Sequence, residues 1–188
     1  MVKQLRTGAL MLLFLTLITG LLYPLLVTVV AQVAFPYQAN GSLVRVNETI
    51  VGSELIGQAN SDPTYFWSRP SAISYNPMPS SGSNLALVST SFQDAEASNE
   101  TTFREANGVT EGVEVPADIT TTSGSGVDPH ISPESARLQI DRVAEARGLT
   151  REEVVALVER FVEAPMLGFL GEARVNVFNL NRALDALQ

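Results

Sequence analysis

The amino-terminal part of the chain is dominated by an unbroken run of apolar residues. No charged side chain occurs from residue 7 to residue 44, and residues 8–35 are apolar almost throughout. As an α-helix, residues 8–35 would be about 42 Å long, which is enough to cross a hydrocarbon core of about 30 Å. The pattern therefore predicts one transmembrane helix within residues 1–37 and a separate domain over residues 38–188.

The same run can be interpreted as a cleaved signal peptide, because residues 29–31, Val-Val-Ala, match the small-residue pattern that precedes a cleavage site. The apolar region of a signal peptide spans about 7 to 15 residues, so the length of this run favours a retained anchor. Lys3 and Arg6 precede the run, and the next basic residue is Arg45. Because positive charge marks the cytoplasmic end of a span, we expect a single-pass protein of the cell membrane, with a cytoplasmic amino terminus and an extracytoplasmic domain.

Three residues in the middle of the span are candidate contacts with another membrane helix. Pro24 has no N–H group to donate to the carbonyl group of Gly20, and its ring crowds that carbonyl group, so a kink is expected at Tyr23-Pro24. Gly20 and Thr16 form a narrow helix face against which a second helix could pack closely. Gly20, Tyr23 and Pro24 are therefore candidate partner contacts, and a tolerated proline in an isolated anchor remains the alternative.

Short strands and loops are expected after the span. Alternating apolar positions predict a strand over residues 43–46, and four prolines with many serines predict a turn-rich loop over residues 62–84. Residues 85–108 are expected to be partly helical and to end near Asn107-Gly108. A strand is expected within residues 113–124.

The carboxyl-terminal third carries clear helix signals. Ser132 and Gly148 bound a predicted helix over residues 133–147. Thr150 and Glu153 form a capping-box pattern for a second helix, which Pro165 is expected to stop. A strand within residues 174–180 and a short helix over residues 181–187 would follow. The sequence thus predicts an α+β fold class, in which one transmembrane helix precedes a mixed α/β extracytoplasmic domain.

The charge is unevenly distributed along the chain. Two of the 12 basic residues, Lys3 and Arg6, precede the span, and all 20 acidic residues follow it, which gives the domain ten basic residues and a formal net charge of −10. Such a charge argues against nucleic acid or an anionic bilayer surface as the main partner of the domain, and it would attract cations. An acidic, solvated surface is the simpler interpretation.

The chain's single histidine, His130, lies in the segment SGSGVDPHISPESARLQ. Ser125, Asp128 and His130 offer the residue types of a hydrolase triad, but they crowd into six positions without the Gly-x-Ser-x-Gly turn of such enzymes. One histidine and one aspartate, in a chain without cysteine, leave a zinc site short of ligands. The glycines match no phosphate-binding pattern. We therefore expect a turn here, with no catalytic residue, no metal and no cofactor of the chain's own.

Several polar and aromatic residues of the domain are candidate partner contacts. Trp67, in the segment FWSRPSA, could anchor an interface, and Arg69 could pair with a carboxylate or with a partner's backbone. The alternative is a core tryptophan with a locally paired arginine. Gln139 lies among apolar residues of a predicted helix and is either exposed or hydrogen-bonded in the interior. The remaining candidates are Asn84, Asp128 and His130.

Taken together, six segments resemble the C subunit of the Kdp potassium-transporting ATPase in order and spacing. They are LLYPLLVTVVAQVAFPYQANGSL, GSELIGQ, YFWSRPSA, SGSNL, SGSGVDPHISPESARLQIDRVAEARGL and LGFLGEARVNVFNLNRALD. The resemblance covers nearly the whole chain. Residues 91–107 depart most from it, because they are richer in serine, threonine and asparagine.

The resemblance implies an accessory subunit of an ATP-driven, high-affinity potassium uptake complex. Its partners would be a channel-like potassium-translocating subunit, a P-type ATPase subunit and a small single-span subunit. The resemblance also implies a role in assembly and as a catalytic chaperone that raises the ATPase subunit's affinity for ATP. This chain has no Asp-Lys-Thr-Gly phosphorylation motif, so the ATPase subunit would bind and hydrolyse ATP. The alternatives from other classes are a membrane-anchored extracytoplasmic hydrolase and a membrane-anchored binding module.

Overall fold

The computed structural model of the chain describes residues 1–187. It divides into two compact units, Met1–Gly52 and Ser53–Gln188. The first unit contains a long apolar helix, and the second contains most of the short helices and a small sheet. This architecture confirms the predicted α+β fold class, with one amino-terminal helix followed by a mixed α/β region.

The long helix extends from Val2 to Ala34. It consists of α1 (Val2–Leu17), a π-helical turn (Ile18–Leu22) and α2 (Tyr23–Ala34). Its most apolar window has a mean hydropathy of 2.4, and no part of that window is buried. Among residues 1–187 it is the one helix that is long and apolar enough to cross a membrane, as the sequence predicted.

The π-helical turn lies directly before Pro24. The N–H group of Tyr23 donates to the carbonyl group of Ile18, five residues earlier. Because the proline ring crowds the carbonyl group four residues before it, a wider turn at this point gives the ring space. The disturbance expected at Tyr23-Pro24 therefore takes the form of a π-helical turn inside a continuous helix.

Two short strands follow the long helix and the single-turn helix α3 (Pro36–Ala39). Strands β1 (Leu43–Val46) and β2 (Thr49–Ser53) pair with each other. The two residues between them, Asn47 and Glu48, have φ angles of 47° and 66°, as a two-residue hairpin turn requires. The sequence predicted β1, but β2 has no alternating apolar pattern to identify it.

The second unit contains six helices and three strands among its described residues. They are α4 (Thr90–Asn107), α5 (Ala117–Thr120), β3 (His130–Ile131), α6 (Pro133–Arg137), α7 (Ile140–Arg147), α8 (Arg151–Arg160), β4 (Val162–Glu163), β5 (Arg174–Asn176) and α9 (Val177–Asp185). Strand β5 is central in an antiparallel sheet of order β3-β5-β4. In this sheet Val175 lies opposite both Ile131 and Val162.

Local capping signals begin or end several helices where the sequence predicted. The Ser132 side chain caps α6, and Thr150 and Glu153 form the predicted capping box of α8. Gly108 and Gly148 follow α4 and α7 with φ angles of 62° and 66°. These left-handed conformations favour glycine, which explains why both helices stop there.

Four predictions for the domain are wrong in detail. The helix expected over residues 133–147 is interrupted at Leu138 and Gln139, and the helix expected to continue towards Pro165 ends at Arg160. The strand expected within residues 174–180 ends at Asn176, whose side chain accepts a hydrogen bond from the N–H group of Asn179 and thereby caps α9. Residues 113–124 contain the helix α5 instead of a strand.

The hydrophobic core of the second unit lies where α6 to α9, β3 and β5 meet. Phe66, from the proline-rich loop, is also completely buried in it. A loop residue therefore supplies one of the largest core side chains. The fully or almost fully buried apolar residues include Phe66, Ile131, Ile140, Val143, Val154, Val158, Val175, Leu180 and Leu184.

Candidate functional site

Two amide side chains hold the backbone of the proline-rich loop, residues 62–84. The Oδ1 atom of Asn181 accepts a hydrogen bond from the N–H group of Phe66 at 2.8 Å, and its Nδ2 atom donates to the Phe66 carbonyl group at 2.9 Å. The Oε1 atom of Gln139 accepts from the N–H group of Trp67 at 2.7 Å, and its Nε2 atom donates to the Trp67 carbonyl group at 3.2 Å. Each amide thus satisfies both backbone groups of one loop residue, as a paired strand would.

Gln139 occupies the interruption between α6 and α7, and it is completely buried. Its Nε2 atom also donates to the carbonyl group of Ser135 at 3.3 Å, and its Oε1 atom accepts from Arg142 at 2.8 Å. The sequence left open whether Gln139 is exposed or hydrogen-bonded in the interior, and the structure shows the second. A buried amide needs such partners, because an unpaired one is costly.

Arg142 fixes the indole ring of Trp67. Its guanidinium carbon lies 4.5 Å from the ring centroid, within the range of a cation–π contact. It donates to Asn107 Oδ1 at 2.8 Å and to the carbonyl group of Tyr65 at 2.9 Å. Burial lowers the pKa of Arg142 to about 10, although the negative charge of Asp62 acts in the opposite direction. Arg142 remains charged at neutral pH, and it holds the half-buried Trp67 within the domain.

Three of the candidate partner contacts, Arg69, Asp128 and His130, lie next to each other in the structure. Arg69 donates from Nη1 to Asp128 Oδ2 at 3.2 Å and from Nε to the carbonyl group of Asp118 at 3.2 Å. Asp128 Oδ1 accepts from the N–H group of His130 at 3.0 Å and lies 3.5 Å from His130 Nδ1. Burial raises the pKa of Asp128, but the hydrogen bonds from His130 and the positive charge of Arg69 outweigh it, so the pKa lies below its ordinary value of 3.8.

An open groove of about 850 Å³ lies beside this cluster. Its three arginines are each paired with a carboxylate: Arg69 with Asp128, Arg137 with Glu159 at 2.7 Å, and Arg174 with Glu163 at 2.9 Å. Two acidic residues of the lining, Glu114 and Glu172, make no hydrogen bond or ion pair within residues 1–187. The groove therefore presents unpaired negative charge.

Comparison with known proteins assigns the chain to a family. A family model described as "KdpC: K+-transporting ATPase, c chain" matches residues 5–186. A potassium-transporting ATPase KdpC subunit of Erwinia tasmaniensis is 51% identical over 189 residues, which cover 99% of both chains. The KdpC subunits of Sorangium cellulosum and Methylococcus capsulatus are each 50% identical, over 98% and 100% of both chains. The chain belongs to the KdpC family. The resemblance noted in the sequence is thereby confirmed.

Ser125 and His130 are not joined in a hydrogen-bonded triad in the described part of this KdpC-family chain. The Oγ atom of Ser125 accepts a hydrogen bond from the N–H group of Val127 at 3.2 Å, and no hydrogen bond joins it to His130 within residues 1–187. Asp128 contacts both Arg69 and His130, but these contacts do not extend to Ser125 among the described residues. The described residues also contain no group of three or more metal-ligating side chains.

The other candidate contacts of the KdpC-family chain are scattered. Asn84 is exposed in a loop, with a φ angle of 54°, and it donates to Ser81 Oγ at 3.3 Å. Gly20 lies in the π-helical turn, and Tyr23 and Pro24 begin α2; all three are exposed in the first unit.

Three polar residues that position the site were not singled out from the sequence. Arg142 lies three positions after Gln139, a spacing that places both on one helix face and could have indicated their contact. Asp118 accepts hydrogen bonds from the backbone and side chain of Ser132 at 2.7 and 3.1 Å. No sequence pattern identifies Asp118 or Asn181. Their hydrogen-bond partners, Ser132 and Phe66, lie 14 and 115 positions away in the chain.

Replacing Gln139 with Met should lower the free energy of unfolding by about 2 kcal/mol or more, because it leaves the backbone groups of Trp67 without partners at similar side-chain volume. Denaturant unfolding of the full chain in mild detergent, followed by the fluorescence of its single tryptophan, measures the change. The matched control is Gln93→Met, since Gln93 is exposed on α4. We call the hydrogen bonds of Gln139 and Asn181 to the backbone of Trp67 and Phe66 the amide clamp. Equal unfolding midpoints for Gln139→Met and the wild type would contradict a stabilising role of this clamp.

Replacing Asp128 with Asn should cost stability in a pH-dependent way. Because the folded-state pKa of Asp128 lies below 3.8, its charge stabilises the fold fully above that pH, and the contribution is lost as the pH falls through the folded pKa. The stability difference between the wild type and Asp128→Asn should therefore shrink below pH 3.8. Unfolding curves over this pH range measure it, with the exposed Asp94→Asn as the control. A difference that is independent of pH would contradict the ionised Arg69–Asp128 pair.

Proposed function

We propose that the chain is an accessory subunit of an ATP-driven potassium uptake complex, and that it stabilises the assembly of the potassium-translocating and ATPase subunits. The observation that carries the proposal is the 33-residue apolar helix, Val2–Ala34, whose most apolar window is not buried by any of the residues that the structure describes. Proteins named potassium-transporting ATPase KdpC subunit, about half identical over their whole length, support the potassium-transporting context.

The long helix has features that suit it to pack against other membrane helices. Thr19 and Thr28 donate their hydroxyl groups to carbonyl groups of their own helix at 2.8 Å, so they add no unpaired polar group in lipid. At Gly20 an added Cβ would meet only a methyl group of Thr16, at 4.0 Å. Small residues of this kind let a second helix approach closely. We infer that this face contacts the membrane helices of a partner subunit.

The domain is proposed to lie outside the cytoplasm, because the basic residues Lys3 and Arg6 precede the span. From that position it could not hold cytoplasmic ATP, so the ATPase subunit would bind and hydrolyse the nucleotide. A chaperone effect on ATP affinity would then reach the ATPase subunit through the membrane helices, as a coupling free energy between two sites. The further partners in this proposal are a channel-like potassium-translocating subunit and a small single-span subunit.

The test is purification of the affinity-tagged full chain in mild detergent from cells that express all subunits of the complex. We expect the larger subunits to co-purify and to show potassium-stimulated ATP hydrolysis, because an assembly subunit remains bound to its partners. The same preparation made without this chain should yield less intact complex. A chain that purifies alone, while the other subunits form a stable and fully active complex, would contradict the proposal.

Replacing Gly20 with Leu should reduce the recovery of partner subunits roughly threefold or more, because the larger side chain separates the packed helices. Gly8→Leu is the matched control. An added Cβ at Gly8 meets open space, and Gly8 lies in α1 of the same long helix, outside the π-helical turn. Quantitative co-purification in mild detergent measures both variants. Equal recovery for the two would contradict packing at the Gly20 face.

A further inference from the structure

A cluster of exposed apolar side chains in the second unit lies at the tip of the connection between β4 and β5. It consists of four side chains, which we call the apolar tip: Met166, Leu167, Phe169 and Leu170. Their exposed fractions are 70%, 77%, 73% and 49%. Large apolar side chains that protrude together in this way mark an interaction surface, whereas single exposed ones are ordinary.

The apolar tip is an ordered turn. Met166 and Leu170 form an antiparallel bridge, with the N–H group of each donating to the carbonyl group of the other at 3.0 and 2.9 Å. The N–H group of Gly168 donates to the carbonyl group of Pro165 at 2.9 Å. The four side chains are thus presented from a backbone that is already fixed, which lowers the entropy lost when they bind a partner.

The residue at the top of the tip is unsuited to its backbone conformation. Leu167 has a φ angle of 56°, in the left-handed region that favours glycine and asparagine. A leucine there costs free energy in the folded chain, and its side chain contacts solvent instead of the core. Backbone strain at an exposed apolar residue is therefore consistent with a role in binding and not in folding.

The surroundings of the tip determine which kind of partner fits. Residues 161–173 contain no basic side chain and no tryptophan or tyrosine, which are the residues that anchor a protein at a lipid surface. Glu163 precedes the tip and is paired with Arg174, while Glu172 follows the tip and is unpaired within residues 1–187. With a net charge of −10 after the span, the domain would also be repelled by anionic lipids.

The groove described above is continuous with the base of the tip. Glu172 and Ala173 at the end of the strand connection, and Arg174 at the start of β5, belong to the lining of the groove. The unpaired carboxylates of Glu114 and Glu172 lie in this lining, and they favour basic side chains on the partner. A second copy of the chain would bring like charges together at the same place, so it is a poor occupant.

We propose that the apolar tip is a docking element that inserts into an apolar cleft on a partner subunit of the potassium-transporting complex, and that basic side chains at the edge of the cleft face Glu114 and Glu172. This inference rests on the proposed function, because it takes its partner from the same complex. An apolar centre with a charged rim is the usual arrangement of residues that carry binding energy.

The first test identifies what the tip contacts. Phe169 is replaced by the photo-crosslinking residue p-benzoylphenylalanine in the full chain, and the complex is purified in mild detergent and irradiated. We expect a crosslink to an apolar segment of one partner subunit, located by mass spectrometry of the crosslinked peptides. A crosslink to lipid or to a second copy of this chain would overturn the inference.

The second test separates binding from folding. The double variant Leu167→Asn with Phe169→Ser removes apolar surface and gives the left-handed position a residue that tolerates it. We expect about tenfold lower retention of partner subunits on dilution of the complex, with no loss of thermal stability of the chain itself. The control is Leu87→Asn with Val88→Ser, because these two residues are also highly exposed in a loop, at 72% and 89%.

The outcomes distinguish this inference from the proposed function. Wild-type retention by the tip variant would overturn the docking role of the tip and leave the accessory-subunit proposal intact, provided that the wild-type chain still brings its partners. Failure of the wild-type chain itself to bring any partner would overturn both. A loss of retention that the loop control shares to the same degree would also overturn the specific role of the tip.

Discussion

The second unit depends on the pairing of two side-chain amides with the backbone of a loop. Gln139 and Asn181 bind the N–H and carbonyl groups of Trp67 and Phe66. Backbone groups that leave water need partners, and a proline-rich loop has no strand beside it to supply them. With the amides in place, the Phe66 side chain can be completely buried while its own backbone remains satisfied. The loop can therefore take part in the core without forming a strand.

The position of Arg69 follows from the same clamp. Phe66 and Trp67 are fixed at the core, so the chain leaves them in a defined direction, and Arg69 reaches both Asp128 and the carbonyl group of Asp118. Tyr75 donates its hydroxyl group to the carbonyl group of Arg69, which closes the loop on itself. The walls of the groove are in this way held by hydrogen bonds and ion pairs between segments that are far apart in sequence. Such a groove is preformed, and a preformed surface loses less entropy on binding than a mobile one.

The sequence predicted the features that depend on near neighbours. The span, the capping box at Thr150 and Glu153, and the helix ends at Gly108 and Gly148 each involve residues within one or two turns of each other. The amide clamp could not be predicted, because its hydrogen bonds join residues that are 72 and 115 positions apart. The helix break at Gln139 was missed for the same reason. Its local pattern is helical, and its contact with Trp67 is what holds it at the interruption.

Each of the two units leaves apolar side chains exposed, and these exposed side chains bear on the proposed accessory role. The long helix has no buried part in its most apolar window, and the four residues of the apolar tip are between 49% and 77% exposed. In water or in a lone chain such surface is unfavourable, at about 25 cal/mol for each Å² that could be covered. Meanwhile the acidic groove keeps its arginines paired internally and leaves carboxylates free. A bilayer can cover the long helix, whereas the apolar tip and the free carboxylates of the groove leave surface that a partner can cover, which is consistent with the accessory role proposed above.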